Sequence, residues 1–257
     1  SIDSQISSSS ATMSAMMTGV KTKKYHISTN GNATSTDCKS LIGNKTKTLL
    51  EIAEESGMST GVVTNARLTH ATPAATYAHA VRRYWEADSD IPEDQRSKDC
   101  KDIAQQLIDF SYGDGIEVAL GGGRQNFLPN TTVDPEYADK KGERLDERDL
   151  TQEWLEKYEK ASVVWNLEQF NHVDAKNTKH LLGLFEPKHM NYEQQRHNDK
   201  AGEPSLTQMT EKALDILNHQ NKPFFLMIES GRIDHSHHDG NAYNALYETI
   251  ELRKLRA

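Results

Sequence analysis

The sequence predicts an α/β fold: a three-layer helix/sheet/helix domain whose central sheet is mostly parallel. Two observations lead to this prediction. Short, continuous apolar segments alternate along the chain with segments of helical period, which is the order of strand–helix units in a parallel sheet. The 257 residues are enough to bury a sizeable core, and 15 glycines and 7 prolines are too few for a fibrous or low-complexity chain. We therefore expect a single domain over residues 1–257.

The first predicted elements follow the Ser-rich amino-terminal region. A helix over 14–20 comes after the serine run, and apolar residues at helical spacing predict a second helix over 47–56. The continuous apolar run that follows predicts a buried strand over 59–64. Pro73 suits the first turn of a helix, which we place over 74–83.

The middle of the chain alternates more regularly. An amphipathic pattern predicts a helix over 102–110, an apolar run predicts a strand over 115–120, and helical spacing returns over 150–160. Three glycines at 121–123 end the strand. They lack the spacing of a phosphate-binding loop and the Lys-Ser/Thr that follows one, so a flexible turn is favoured over a phosphate loop.

The last third repeats the pattern with one polar interruption. The predicted elements are strands over 162–165, 180–185 and 224–229, helices over 206–218 and 243–255, and a loop or cap insertion over 187–204.

Charge and hydropathy exclude two classes of protein. The chain has 30 basic and 38 acidic residues, a formal net charge of −8, which argues against nucleic acid as a partner. The longest apolar runs, such as 224–228, span only a few residues, so no transmembrane segment is expected.

Two cysteines, Cys38 and Cys100, allow one disulfide or two separate buried thiols. Three glycosylation sequons begin at Asn32, Asn44 and Asn130. Each sequon is a weak signal, but three beside a lone cysteine pair favour an oxidising, secretory compartment.

Both ends of the chain interrupt a pattern. It opens at Ser1 without Met or a signal peptide, and it closes at Ala257 just after a predicted helix that has no stop signal. We expect the sequence to be a central piece of a longer chain, truncated at both ends.

The segment 229–239 is rich in metal-ligand types and follows a predicted strand. If a helix begins after the strand, Asp234 and His238 lie at i and i+4 on one face, a carboxylate–imidazole pair that suits Zn²⁺. Glu229, at the strand end, offers a hard oxygen that suits Mg²⁺. The alternative is a solvated His/Asp-rich loop.

Two further segments carry chemistry only if they lie near the first. Thr72 follows a predicted strand, from where its hydroxyl can reach a metal, and the Arg83 guanidinium matches phosphate geometry. The serines at 7–10 precede a predicted helix, where a hydroxyl serves as a cap or as a nucleophile. Taken separately, the Thr72–Arg83 segment is equally well interpreted as an ordinary loop and helix, and the serine run as a linker.

Together the three segments resemble the alkaline phosphatases, most closely those of animals. The matching blocks occur in the family's order along nearly the whole chain, which makes the resemblance specific. They are residues 11–22 (ATMSAMMTGVKT), 61–83, 121–124, 134–137, 154, 183–187, 209–210 and 224–238.

The resemblance implies a role for each of seven residues. They are Ser9 as the phosphate acceptor, Arg83 as the phosphoryl clamp, Asp234 and His238 as zinc ligands, and Thr72 and Glu229 as magnesium ligands with His70 beside them. It also implies a calcium site made by Glu136, the carbonyl of Phe185, Glu186 and Glu203.

The resemblance further implies the activity and its setting. The expected reaction is hydrolysis of phosphate monoesters at alkaline pH through a phosphoserine intermediate, with Zn²⁺, Mg²⁺ and Ca²⁺ as cofactors. The expected protein is a homodimer outside the cell or on its surface, with a GPI anchor as the expected means of attachment if the full-length form is membrane-bound. The resemblance also implies a disulfide bond between Cys38 and Cys100.

The chain departs from the family at three places. Ser8 stands where the family has an Asp that orients the clamping Arg, and the strand with the bridging Asp would precede Ser1. The remaining zinc ligands would lie beyond Ala257. We therefore expect little turnover from the isolated chain, and the alternative is an inactive relative that binds metal or phosphate.

Overall fold

Five parallel strands form one sheet in the computed structural model, which describes residues 1–96 and 100–255. The spatial order is β3-β4-β2-β1-β5, with every neighbouring pair parallel. The strands are β1 (Ser59–Arg67), β2 (Val118–Gly122), β3 (Ala161–Val164), β4 (His180–Leu184) and β5 (Phe224–Glu229). The predicted α/β class is confirmed.

Helices connect the strands, and most of them begin at a side-chain cap. They are α1 (Ser9–Thr18), α2 (Leu49–Glu55), α3 (Ala71–Tyr77), α4 (Ile103–Ile108), α5 (Leu150–Lys157), α6 (Leu167–His172), α7 (Leu206–His219), α8 (Gly231–His238) and α9 (Ala242–Lys254). Short 3-10 helices occur at Cys38–Leu41, Asp88–Asp90, Glu93–Gln95, Arg124–Phe127 and Arg196–Asn198. None of the helices in the described ranges is long and apolar enough to cross a membrane.

Alternating strand residues build a core on each face of the sheet. Val62 of β1 packs with apolar residues of α1–α5, whereas Val63, its neighbour, packs with those of α6 and α7. Both valines are fully buried. Because both faces are covered, the strands read as continuous apolar runs, and the domain has three layers.

Two predicted helices are corrected at their ends. The first begins at Ser9 rather than at residue 14, because Ser8 caps it. The helix predicted over 74–83 is α3, which ends at Tyr77. The chain turns there because Ala80 exchanges backbone hydrogen bonds with Ile27, so Arg83 lies in a loop and not on the helix.

The triple glycine forms neither a flexible turn nor a phosphate loop. Gly121 and Gly122 belong to β2, and a Cβ on Gly122 would lie 2.1 Å from the carbonyl oxygen of Lys188. Gly123 has a φ of 97° and donates its N–H to the carbonyls of Glu186 (2.9 Å) and Lys188 (2.7 Å). The glycines therefore let the chain after β4 pack directly on the end of β2.

The other predicted elements agree with the structure to within three residues at each end. Helix α6 was not predicted, because only two of its six residues, Leu167 and Phe170, are apolar and they do not establish a helical period. Residues 187–204 contain one 3-10 helix and are otherwise irregular, as expected of a loop.

Cys38 and Cys100 form a disulfide, with their Cα atoms 5.4 Å apart. The bond joins the 3-10 helix at Cys38–Leu41 to the segment before α4, and Val81 and Trp85 pack around it. The predicted pairing is confirmed. The sequon residues Asn32 and Asn130 are exposed, whereas Asn44 is half-buried and donates its side-chain amide to the carbonyl of Ser40 (2.9 Å).

Candidate active site and metal sites

Ser9 is the first residue of α1, and the serine before it holds the chain in place. The Oγ of Ser8 accepts hydrogen bonds from the peptide N–H groups of Ala11 (3.4 Å) and Tyr25 (2.9 Å). The half-buried Ser9 therefore lies at the positive end of the helix macrodipole. A hydroxyl at this position can meet an anionic substrate.

Arg83 contacts Ser9 from the loop after α3. Its peptide N–H donates to the carbonyl of Tyr25 (2.8 Å), which fixes the loop. Its Nη1 donates to Ser9 Oγ (3.5 Å), and its Nη2 lies 2.9 Å from Nε2 of His70. Within the described part of the chain, no carboxylate forms an ion pair with Arg83, and burial lowers its pKa. The site thus holds a partly buried cation that no carboxylate of the described residues contacts directly.

Glu229 ends β5 and faces two threonine hydroxyls. Its Oε2 accepts a hydrogen bond from Thr64 Oγ1 (2.7 Å), and the hydroxyl of Thr72 also stabilises its ionised form. Burial is the larger effect and raises the pKa of Glu229. A half-buried carboxylate with hydroxyls beside it is an oxygen-rich set that suits a hard cation such as Mg²⁺.

Asp234 and His238 lie one turn apart on α8, which begins directly after β5 as the metal hypothesis requires. Asp234 Oδ2 and His238 Nε2 are 3.5 Å apart, and their side chains are 62% and 78% exposed. A carboxylate and an imidazole at this separation can share one Zn²⁺ ion.

Two adjoining cavities, of about 540 and 510 Å³, bring the three sequence segments together; Ser9, His70 and Asp234 border both. All six residues expected at the reaction centre border at least one of them: Ser9, Thr72, Arg83, Glu229, Asp234 and His238. A slightly larger cavity, of about 590 Å³, lies elsewhere beside Glu51 and His79 and contains none of these six.

Three imidazoles gather beside the second cavity. His70, His189 and His235 each place one ring nitrogen within 4.8 Å of the others, and their ring centroids are 4.2–5.2 Å apart. Only His70 and His235 belong to the segments that the sequence singled out. His189 was missed, because it is one histidine in an irregular loop and carries no spacing signal.

An arginine lies against each of these imidazoles. The guanidinium of Arg83 contacts His70, and that of Arg232 contacts Nδ1 of His235 (3.1 Å). Arg67 contacts His189 twice, at Nε2 through its guanidinium and at Nδ1 through its peptide N–H. Burial, followed by the charge of a neighbouring guanidinium, lowers the pKa of His70 to about 2 and that of His235 to about 4; the pKa of His189 falls as well. All three imidazoles are therefore neutral at physiological pH.

A cluster of carboxylates lies beyond the end of β4. Glu136, Glu186 and Asp199 each place one oxygen within 4.8 Å of the others. Glu203 belongs to the same surroundings, because the charges of Glu186 and Asp199 act on it. Phe185, between β4 and Glu186, is buried in the core.

Several oxygens of this cluster are buried without a partner. They are both carboxylate oxygens of Asp199 and Oε2 of Glu203, whose Oε1 accepts the N–H of Asn191 (2.9 Å). Burial, together with neighbouring carboxylates, raises the pKa of Glu203 to about 9 and that of Glu136 to about 7. Unpaired carboxylate oxygens that face each other fit a hard cation such as Ca²⁺.

Asp199 is the member of this cluster that the sequence analysis did not name. It follows the 3-10 helix at Arg196–Asn198 in the irregular segment 187–204, where no pattern assigns a side chain to a direction. The composition gave no signal either, because the segment contains as many basic residues as acidic ones.

Comparisons with known proteins agree on one family. The family model described as "Alkaline phosphatase" matches residues 1–255. The human tissue-nonspecific alkaline phosphatase is 39% identical over 97% of the chain and 48% of its own length, and that of Gallus gallus is 39% identical over 97% and 49%. The chain thus spans about half the length of the curated relatives it matches.

Solved structures with a similar fold carry the same description. The Thermus thermophilus alkaline phosphatase has a TM-score of 0.74 at 29% identity, and the match covers 97% of the present chain and 43% of the Thermus chain. The cold-active enzyme of a Shewanella species has a TM-score of 0.73 at 23% identity, covering 99% and 50%. A variant from the Antarctic bacterium TAB5, described with Mg bound, has a TM-score of 0.69 at 21% identity, covering 98% and 60%.

Proposed function

Since the chain belongs to the alkaline phosphatase family, we propose that it carries part of a phosphate monoester hydrolase that forms a phosphoserine on Ser9. The observation that carries the proposal is the contact between Arg83 Nη1 and Ser9 Oγ (3.5 Å) at the amino terminus of α1. A hydroxyl, an unpaired guanidinium and a helix terminus share one cavity there. These groups suit a phosphoryl anion.

Two displacements at phosphorus make up the reaction. Ser9 Oγ attacks the phosphorus, the P–O bond to the alcohol breaks, and the alcohol leaves with a proton. A water molecule then attacks the phosphoserine, Ser9 Oγ departs, and inorganic phosphate is released. Arg83 donates two hydrogen bonds to phosphoryl oxygens and stabilises the charge that develops on them.

The residues around Ser9 fit two kinds of divalent cation. Asp234 and His238 would hold Zn²⁺, and Glu229 and Thr72 would hold Mg²⁺ with His70 beside them. Bound metal ions would lower the pKa of the attacking group and stabilise the attacking and leaving oxygens. Thr64 and Thr72 orient the Glu229 carboxylate through their hydroxyls.

Trapping of the phosphoserine by acid quench tests the reaction. The product of the full-length reading frame is mixed with a chromogenic phosphate ester in the presence of Zn²⁺ and Mg²⁺, quenched and digested, and the peptide containing Ser9 is analysed by mass spectrometry. We expect phosphate on Ser9 in the wild type and in Ser7→Ala, a neighbouring control, and none in Ser9→Ala. Phosphate on another residue, or its absence from Ser9, would contradict the proposal.

The carboxylate cluster supports a separate Ca²⁺ site formed by Glu136, Glu186, Glu203 and the carbonyl of Phe185. We add Asp199 to it, because both of its oxygens are buried without a partner. Such a set of acidic oxygens repels itself when ionised, and a bound Ca²⁺ ion relieves that repulsion.

Terbium luminescence tests the calcium site without reference to activity. Tb³⁺ is expected to bind, to be displaced by Ca²⁺, and to lose at least about tenfold in affinity in Asp199→Asn and in Glu203→Gln. Glu193→Gln is the control, because Glu193 lies in the same loop but pairs with Arg196 (2.9 Å). Equal losses in all three variants would exclude a specific site.

The setting of the whole protein is proposed on fewer observations. The Cys38–Cys100 disulfide and the exposed sequon residues Asn32 and Asn130 support an extracellular or cell-surface location. Glycosylation at these sites and at Asn44, a homodimer and a GPI anchor belong to the same proposal. Its test is a shift in mass on deglycosylation of the protein expressed in animal cells.

A further inference from the structure

Arg232 borders the same cavity as Arg83 but has no carboxylate partner within the described ranges. Its guanidinium stacks on the ring of Tyr192, with the central carbon 3.7 Å from the ring centroid. Its Nη1 lies 3.1 Å from His235 Nδ1, and its Nε is buried without a partner. A cation held by an aromatic face and an imidazole keeps its charge available to a ligand.

The imidazoles between the two arginines are oriented as donors. A guanidinium can only donate hydrogen bonds, so the ring nitrogens that it contacts must accept them. His70 therefore carries its proton on Nδ1, and His235 carries its proton on Nε2. Neither N–H has a partner among the residues that the structure describes, and Nδ1 of His70 is buried.

This orientation favours an anion over a fourth metal ion. A metal would need the lone pairs that Arg83 and Arg232 already occupy, and it would lie beside two unpaired guanidiniums. An anion in the cavity, in contrast, accepts hydrogen bonds from the Nε2–H of His235 and from the guanidinium of Arg232. The charges of Glu248, Asp239 and Glu203 act on Arg232, but none of these carboxylates forms an ion pair with it within the described ranges. Asp239, which borders the cavity, is exposed and accepts the hydroxyl proton of Tyr192 (2.6 Å), so solvent and Tyr192 weaken its attraction for Arg232.

We propose that Arg232 and His235 form a second anion subsite, which takes a phosphoryl or carboxylate group on the leaving side of the substrate. The inference rests on the proposed function, because the first phosphoryl group occupies Ser9 and Arg83. The two arginines are connected through His70 and His235, whose ring centroids are 5.2 Å apart, along one wall of the 510 Å³ cavity. The favoured substrate class is therefore a phosphate monoester with a second anionic group a few bonds from the ester.

Non-hydrolysable phosphonates test the subsite by calorimetry. Alkane diphosphonates with linkers of increasing length are compared with alkylphosphonates of the same length, and phosphonocarboxylates distinguish a second phosphoryl from a carboxylate. For the best linker, we expect the second group to improve affinity at least about tenfold, the scale of one charge-assisted pair. Arg232→Gln is expected to remove this gain while the alkylphosphonate affinity stays the same.

Two controls separate the possible causes. Arg253→Gln removes the same charge from an exposed position on α9 and is expected to keep the gain, whereas Arg232→Lys, which keeps the charge but loses the fork, is expected to keep only part of it. Thermal unfolding of each variant confirms that it is folded.

The outcomes distinguish this inference from the proposed function. Equal affinity for mono- and diphosphonates, or a gain that survives Arg232→Gln, would overturn the subsite alone. Failure of the wild type to bind any phosphonate, or alkylphosphonate binding that Arg83→Gln leaves unchanged, would overturn both proposals.

Discussion

Ser8 shows how much a single hydroxyl contributes at the start of α1. Its Oγ accepts the peptide N–H groups of Ala11 and Tyr25 and contacts Ser10 Oγ (2.9 Å), and the residue is only 8% exposed. Ser8→Ala leaves two N–H groups without an acceptor and is expected to lower the free energy of unfolding by about 1–2 kcal/mol. Urea unfolding followed by circular dichroism measures the change.

Ser8→Asp is the informative companion variant. A carboxylate accepts the same N–H groups and lies at the positive end of the helix, so we expect it to retain the wild-type stability. Ser7→Ala, outside the helix, is expected to change it by less than about 0.5 kcal/mol. If Ser8→Ala is as stable as Ser7→Ala, the cap does not stabilise α1.

Glu54, which lies outside the candidate active site, makes the free energy of unfolding depend on pH. It is buried, one oxygen accepts from Thr60 (2.6 Å), the other has no partner, and burial raises its pKa from 4.5 to about 8. Between these values the native state holds a proton that the unfolded state has released, so the free energy of unfolding falls as the pH rises. We expect Glu54→Gln to reduce this fall by a few kcal/mol between pH 5 and 8.

The control for Glu54 is its neighbour. Glu55 is exposed and pairs with Lys47 (2.7 Å), so Glu55→Gln is expected to leave the slope against pH unchanged. Glu117, whose pKa burial raises to about 7, acts in the same direction and leaves a residual slope in Glu54→Gln. A slope that is identical in wild type and Glu54→Gln would contradict the assignment.

At the scale of elements, the sequence predicts strands better than helix ends. The strand predicted over 180–185 coincides with β4 to within one residue, because all five residues of β4 are buried and burial on both faces of a sheet leaves a local signature. The end of α3 at Tyr77 has none: it depends on the pairing of Ala80 with Ile27, which lies more than fifty residues earlier in the chain. The position of Arg83 could therefore not be predicted from its spacing to Thr72.

The packing of β2 against the chain after β4 is tested by Gly122→Ala. The added Cβ would lie 2.1 Å from Lys188 O and 3.2 Å from Met190 N, and both are backbone atoms that cannot rotate away. We expect a loss of about 3 kcal/mol in the free energy of unfolding and weaker Tb³⁺ binding, because the same segment holds Glu186. Urea unfolding and luminescence measure the two effects.

Gly240→Ala provides the comparison for that substitution. Gly240 has a φ of 64° and open space around it, so an added Cβ costs only backbone strain, about 1 kcal/mol. Terbium binding is expected to remain unchanged. If the two alanine variants are equally stable, the contact with Lys188 is not a tight one.

At the scale of the whole molecule, the sequence predicts which residue types are present but not which ones meet. Glu136 and Glu203 are separated by 67 positions, and only the sheet order brings β4 and its following loop to the 3-10 helix at Arg124–Phe127 and the segment after it. The resemblance to a family supplied most of the candidate site. Asp199 and His189 were missed, because neither lies in a matching block.

The sheet order also predicts how the 257-residue chain behaves in concentrated solution. Strand β5 is last in the order and pairs with β1 alone within the described ranges; Phe224 and Phe225 are half-buried and Ile228 is 37% exposed. An apolar edge strand invites pairing with another copy, whereas the net charge of −8 opposes it. We therefore expect self-association that grows with protein concentration and with salt, because salt screens the charge. Sedimentation velocity measures this self-association.

Ile228→Lys, which places a charge at the edge, is expected to suppress association, whereas Ile250→Lys, on the 52% exposed position of α9, is expected to leave it unchanged. Suppression by Ile250→Lys alone would assign the contact to α9, and a monomer at every concentration and salt level would show that the edge of β5 does not pair.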